Sequence, residues 1–184
     1  LNVRRIESAE SELTEPDCPV ESAALVYFDL ETTGLHPERG AEITQVAILD
    51  DGGLRLHWER PDSEQPLGVI LPKLLDHLGA GVVVGHNLVF DFGFVAYEAA
   101  RRDARGPRVR FVDTLSVAKN VGVDAVSYEL ESLVDHYEID SPGALHTATG
   151  DARATRKLFW RLVESDGLRT LGDLGMSQLD WSAV

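Results

Sequence analysis

Apolar residues gather in short runs along the chain, and the spacing within the runs switches between two and about three and a half. Ala24–Leu30 (ALVYFDL) is rich in β-formers and stops before Thr33-Gly34, which predicts a buried strand. Ile43–Leu49 (ITQVAIL) predicts a second strand. Leu54–Trp58 (LRLHW) alternates and predicts a third, with Asp51-Gly52-Gly53 as the hairpin turn between them. Leu67–Leu78 carries apolar residues at helical spacing in spite of Pro72, and Val82–Val84 predicts a fourth strand buried on both faces. Asn87 stands where a cap would precede a helix over Phe90–Arg102, whose Phe90, Phe94 and Tyr97 share a face. Val109–Val112 predicts a fifth strand, and helices are expected near Tyr128–Tyr137 and over Ala148–Val163.

The two ends read differently. Residues 1–22 are acidic without periodicity and suggest a flexible arm. Residues 166–184 form a Gly-punctuated tail carrying Leu171, Leu174, Met176, Leu179 and Trp181. Between them, residues 23–165 are expected to form one domain. Three strands joined by short turns, followed by alternating helix and strand, predict an α/β fold with a mixed sheet flanked by helices.

Composition narrows the class. The 184 residues suit one domain, and 43% hydrophobic with 26% charged residues is a globular profile. No apolar run approaches the roughly 20 residues of a membrane span, and no membrane partner is expected. No basic-then-apolar leader is visible, and the single Cys18 has no partner for an internal disulfide. Both points fit a reducing cytoplasm. A net charge of −14 argues against a surface that grips nucleic acid broadly. Residues 101–110 (RRDARGPRVR) soften that objection, since five arginines and one aspartate make a local +4. These arginines are candidates for phosphate contacts, with a solvated helix end as the plain alternative.

Four carboxylates and a histidine stand out by context. Asp29 and Glu31 are two apart at a strand end, so a period of two puts both on one face. Such a pair is costly unless a cation or hydrogen-bond donors meet it. Thr32-Thr33-Gly34 then offers hydroxyls, N–H groups and a tight turn suited to a phosphate or a terminal nucleotide. Asp91 falls in a helix's first turn, where the positive helix end favours its ionised form. His86-Asn87 lies where a strand leaves the sheet. His146 sits in the loop before the last long helix, placed to swing over an ion that Asp151 holds. Taken singly, each has a plain reading as a cap or solvated turn; type, order and context agree only in combination.

At these residues the chain resembles the histidine variant of the DEDD superfamily of 3′→5′ exonucleases, which includes proofreading (epsilon) subunits of bacterial replicative DNA polymerases. Phe28-Asp29-Leu30-Glu31-Thr32-Thr33-Gly34-Leu35 reproduces the first motif. Gly85-His86-Asn87-Leu88-Val89-Phe90-Asp91 matches the second, and His146 with Asp151 matches the third. Ile43–Ala47 (ITQVA) and Val112–Leu115 (VDTL) agree as well.

The resemblance implies a ribonuclease H-like fold and two divalent metal ions, Mg²⁺ or Mn²⁺. By the same resemblance Asp29 would bridge the ions, Glu31 and Asp151 would complete the first site, Asp91 would serve the second, and His146 would be the general base. The residue types suit that chemistry: oxygen ligands fit these ions, and two ions about 3.5–4 Å apart stabilise both the attacking and the leaving oxygen of a phosphodiester. Substrate contacts are expected from Thr32, Thr33, Gly34, Leu35, His86, Asn87 and Phe92, with Leu35 and Phe92 wedged against the terminal base; for His86 a hydrogen-bonded framework role is the favoured alternative. Phe90 is expected in the core, and His36, His57, His77 and His136 as structural or exposed.

The expected activity is removal of nucleoside 5′-monophosphates from single-stranded DNA 3′ ends. An RNA-directed exoribonuclease or oligoribonuclease is the alternative, and a non-catalytic nucleic-acid-binding module a more distant one. Expected partners are single-stranded nucleic acid and, beyond it, a DNA polymerase or a sliding clamp. The clamp expectation rests on Gln178-Leu179-Asp180-Trp181, a faint likeness to clamp-binding peptides; the plain reading is a tail docked on its own domain.

Overall fold

The computed structural model describes residues 14–61, 65–140 and 145–183. Six strands form one mixed sheet: β1 (Leu25–Thr32), β2 (Ile43–Asp50), β3 (Gly53–Glu59), β4 (Val82–Gly85), β5 (Arg110–Asp113) and β6 (Ser177–Gln178). Five helices flank it: α1 (Leu67–Gly79), α2 (Leu88–Ala100), α3 (Thr114–Val121), α4 (Leu130–His136) and α5 (Ala148–Asp166). The spatial order is β3-β2-β1-β4-β5-β6. The hairpins β1–β2 and β2–β3 are antiparallel, while β1–β4 and β4–β5 are parallel. The chain thus reverses its winding at β1, and the carboxyl end of that strand is where an open α/β sheet leaves room for a site.

The alternation along β1 divides the core. Leu25 and Tyr27 point to one face, with Val82, Val84, Val112 and the α5 residues Leu158, Phe159 and Leu162. Val26, Phe28 and Leu30 point to the other, with Leu71, Leu74 and Leu78 of α1 and Leu88, Phe92 and Val95 of α2. Tyr27 is fully buried, and its hydroxyl accepts a 3.0 Å bond from Trp160 Nε1 on α5. Continued two and four residues further, the Tyr27 face presents Asp29 and Glu31 toward α5. Gly85 permits the close fit on the opposite face. A Cβ there would run into the Leu88 side chain and approach the Phe28 carbonyl, so only glycine lets α2 start so near β1.

Two elements differ from the sequence expectations. α3 is a separate short helix begun by Asp113, whose side chain accepts the Leu115 N–H. It is too short for periodicity to reveal. β6 is two residues long and pairs with β5 through Arg110–Gln178 and Phe111–Ser177.

The chain ends differ too. Of the arm expected over 1–22, residues 1–13 lie outside the described residues. Residues 14–22 are packed rather than extended away: Thr14, Cys18 and Val20 are buried, and Val20 N–H bonds to Arg169 O at 2.9 Å. Three buried side chains among acids were too sparse to read as a pattern. The tail docks on its own domain. Leu171, Leu174 and Leu179 are buried, and Trp181 donates to Pro107 O at 2.7 Å while its ring meets Phe92. At this contact Leu179 is buried and Trp181 partly buried. No helix among the described residues is long and apolar enough to cross a membrane.

This docking makes a measurable demand. Leu179→Ala should lower the unfolding free energy by about 2–3 kcal/mol. Val126→Ala, at a fully exposed position, should change it by less than about 0.5 kcal/mol. Urea unfolding followed by tryptophan fluorescence compares the two, and equal midpoints would contradict a docked tail.

Candidate active site

β1 ends with its two acids directed at the start of α5. Asp29, Glu31 and Asp151 each offer a carboxylate oxygen, and these atoms all lie within 4.8 Å of one another. Asp29 Oδ2 is buried without a hydrogen-bond partner among the described residues. Asp91 closes the group from α2 and is 4% exposed, with its Oδ1 accepting the Leu30 N–H at 3.0 Å. That N–H lies beyond Tyr27↔Val84, the last β1–β4 pair, where the parallel strands have separated.

The electrostatics follow from this crowding. Burial, and then Asp91, Asp151 and Glu31, push the Asp29 carboxyl well above its ordinary range. Burial also raises Asp91 strongly, in spite of the opposing bonds from the Leu30 and Asp91 N–H groups. At Asp91 burial thus opposes the helix end, which favours the ionised form. Glu31 and Asp151 are raised by burial as well; Asp151 adds to the rise at Glu31, and His146 opposes it at both. The orphaned oxygen and the all-oxygen donor set fit a hard divalent cation, which would restore the ionised forms.

The loop before α5 carries His146 in a left-handed conformation, φ 67°, sparsely used by non-glycine residues. Its N–H donates to Asp151 Oδ1 at 3.1 Å, and its exposed side chain lines a cavity of about 320 Å³ with Glu129, Glu131 and Asp151. Two contacts from the sheet fix this end of α5. Gln45 Oε1 accepts the Ala148 N–H at 3.0 Å while Gln45 Nε2 donates to Glu59 at 3.0 Å. His57 Nδ1 lies 3.1 Å from Thr149 Oγ1. Thr147 completes the start of the helix by accepting the Gly150 N–H.

Of the expected substrate residues, Thr32, Thr33, Gly34 and Leu35 follow directly on Glu31. Thr32 Oγ1 donates to Gly34 O at 2.8 Å, and Thr33 Oγ1 accepts the Glu42 N–H at 2.9 Å, so both hydroxyls shape the turn. Leu35 is 72% exposed at its edge. His86 and Asn87 line a cleft of about 620 Å³ together with Asp29 and Asp151. His86 serves the framework: Nε2 faces Tyr128 O and Nδ1 faces Thr114 Oγ1, each at 2.9 Å, and burial lowers its pKa. Asn87 is not the expected side-chain cap. Its φ is 64°, and its own N–H donates to Asp113 Oδ1 at 2.7 Å.

Phe92 corrects the expectation most sharply. It is fully buried against Phe28, Phe111 and Trp181, so it belongs to the core and offers no wedge. Phe90, expected in the core, is only partly buried. Four of the five arginines in the basic run are engaged with other protein groups. Arg101 and Arg102 neutralise buried Glu98, Arg108 bonds Gln178, and Arg110 bonds Thr14 and Glu15.

Sequence reasoning missed Gln45, Leu115, Lys119 and Tyr128. Gln45 stood inside the ITQVA string, but nothing there signalled its bond to α5. Leu115 and Lys119 lie on the helix that periodicity did not separate.

A family model, RNase T, described as Exonuclease, matches residues 57–159, more than half of the chain. The 3′-5′ exonuclease DinG of Bacillus subtilis is 26% identical over 165 residues, covering 76% of this chain and 17% of that protein. The PolC-type DNA polymerase III of Thermotoga petrophila is 26% identical over 187 residues, covering 89% of this chain and 13% of that protein. The chain thus spans less than a fifth of either relative. Among solved structures, exonuclease X in complex with 5′ overhanging duplex DNA superimposes with a TM-score of 0.54 at 20% identity, covering 82% of this chain and 98% of that one. Brucella melitensis NrnC bound to pGG gives 0.54 at 18% identity, covering 78% and 75%. Cell-death related nuclease 4 gives 0.59 at 12% identity, covering 88% and 82%. At these identities the structures show a shared ribonuclease H-like fold.

The buried acids predict a pH signature. A carboxyl whose folded pKa exceeds its unfolded value of about 4 holds its proton more tightly when folded. That stabilisation is full below the unfolded value and is lost as pH rises through the raised one. In EDTA at neutral pH, Asp29→Asn should therefore melt above the wild-type protein, and the gap should close as pH falls toward about 4. Saturating Mn²⁺ should raise the wild-type melting temperature more than that of Asp29→Asn. Thermal melts across pH, with and without metal, check both expectations.

Proposed function

The chain belongs to the RNase T exonuclease family, and on that premise we propose that it is a metal-dependent 3′→5′ exonuclease that removes nucleoside 5′-monophosphates from single-stranded DNA ends. The observation that carries this reading is the meeting of Asp29, Glu31 and Asp151 within 4.8 Å, beside buried Asp91, at the carboxyl end of β1. Asp29, Glu31, Asp151 and Asp91 would hold two divalent ions, Mg²⁺ or Mn²⁺. Bound there, the ions would supply charge stabilisation for the attacking and leaving oxygens of phosphodiester hydrolysis.

The chain's own residues do the rest. His146 Nδ1 or Nε2 accepts a proton from the water that attacks phosphorus, a role suited to an imidazole on an exposed loop tied to Asp151. A new P–O bond to that water forms as the P–O3′ bond breaks. The departing O3′ takes a proton from solvent, so the strand leaves with a 3′-hydroxyl and the terminal nucleotide as a 5′-monophosphate. The Thr32–Gly34 turn and exposed Leu35 are the surfaces that meet the terminal nucleotide, while Asn87 orients it from the α2 side. A polymerase context is part of the proposal, supported by the PolC-type relatives. The free, buried Cys18 supports a reducing compartment such as the cytoplasm.

A time course on matched 5′-labelled DNA and RNA strands, with Mg²⁺, Mn²⁺ or EDTA, tests the reading. A ladder shortening from the 3′ end, abolished by EDTA, is expected. His146→Ala should slow it about 10²–10⁴-fold, and Asp29→Ala at least as much. Faster decay of RNA would reassign the substrate, and no ladder from folded protein in either metal would overturn the proposal.

A further inference from the structure

The 620 Å³ cleft is lined by Asp29 and Asp151 and also by a wall built from α3 and the segment leading into α4. Among the described charged residues of this cleft, Asp29, Glu129 and Asp151 are acidic and Lys119 alone is basic. Lys119 is exposed, and among the described residues no carboxylate lies within ion-pairing distance of it. Its Nζ sits over the Tyr128 ring, 5.9 Å from the centroid. In a chain of net charge −14, an ammonium with no ion-pair partner among the described residues, lining the same cleft as Asp29 and Asp151, is conspicuous.

The pair is held in place from both sides. Tyr128 Oη donates to Val123 O at 3.0 Å, and the Tyr128 carbonyl accepts from His86 Nε2 at 2.9 Å. Lys119 rides on α3, whose capping residue Asp113 also accepts the Asn87 N–H. The His86-Asn87 pair thus anchors both the lysine's helix and the ring beneath it. With cations held by Asp29 and Asp151, Glu129 would be the one uncompensated carboxylate among the described residues of this cleft, and Lys119 the one basic group beside it. We propose that Lys119, steadied by Tyr128, binds a backbone phosphate of the substrate strand other than the one being cut, which makes this wall the strand-holding side of the cleft. The proposal rests on the exonuclease reading of the acid cluster and adds a contact outside it.

Binding and turnover separate the two claims. Fluorescence anisotropy of a 5′-labelled single strand in EDTA gives Kd against salt, and steady-state digestion in Mn²⁺ gives kcat and KM. Lys119→Ala is expected to raise Kd and KM about fivefold, with kcat within about twofold of wild type. The slope of log K against log salt should be shallower by about 0.7, one single-strand phosphate contact. Lys119→Arg should restore both, and Tyr128→Leu should fall between wild type and Lys119→Ala. The Mn²⁺-induced rise in melting temperature should survive Lys119→Ala, since that side chain is not a metal ligand. An unchanged Kd and slope in Lys119→Ala would overturn the proposal, as would a fall in kcat at constant KM. A wild-type protein that binds strand with the lysine-dependent slope yet cuts neither DNA nor RNA would sink the exonuclease reading and leave the lysine contact standing.

Discussion

Four carboxylates converge at one end of β1, three of them with an oxygen each within 4.8 Å of the others, and one oxygen of Asp29 lies buried without a donor among the described residues. Like charges held that close, out of water, repel each other and lose their hydration together. Nothing in hydrophobic packing rewards this arrangement. It persists because the surrounding framework fixes each backbone that carries an acid, and because a divalent cation would turn the repulsion into attraction.

The framework is built from ordinary elements. Period-two alternation carries Tyr27 into the α5 core and then delivers Asp29 and Glu31 onto the same face. Separation of β1 from β4 frees the Leu30 N–H for Asp91. Gln45, bridging Glu59 and the Ala148 N–H, fixes the turn that bears His146 and Asp151. Asp113 and His86 do the corresponding work on the other wall, tying Asn87, α3 and Tyr128 into one unit. The site is thus supported by hydrogen bonds between elements distant in sequence, while the hydrophobic core supplies the rigid floor beneath it.

Much of this was legible beforehand, and for identifiable reasons. The strands and long helices announce themselves by period, and Asp29, Glu31, Asp91, His146 and Asp151 by type, order and context. What escaped depends on tertiary neighbours. Phe92 reads like a surface wedge beside Asp91, yet Phe28, Phe111 and Trp181 enclose it from three other segments. Asn87 has a capping residue's identity but a left-handed backbone, so it is placed through its N–H instead. The basic run at 101–110 looked like one patch, but four of its five arginines turn to partners elsewhere: Arg101 and Arg102 to Glu98, Arg108 to Gln178, Arg110 to Thr14 and Glu15. Residues 14–22 hide three buried side chains among acids, and α3 is shorter than the window in which periodicity becomes visible.

The account stands on the acid cluster being a cation site. Anomalous scattering from crystals soaked in Mn²⁺ tests this most directly. The account predicts two peaks, about 3.5–4 Å apart, among Asp29, Glu31, Asp151 and Asp91, and their loss in Asp29→Asn crystals. Well-ordered crystals with no manganese at these carboxylates, or with manganese only at surface acids elsewhere, would contradict it.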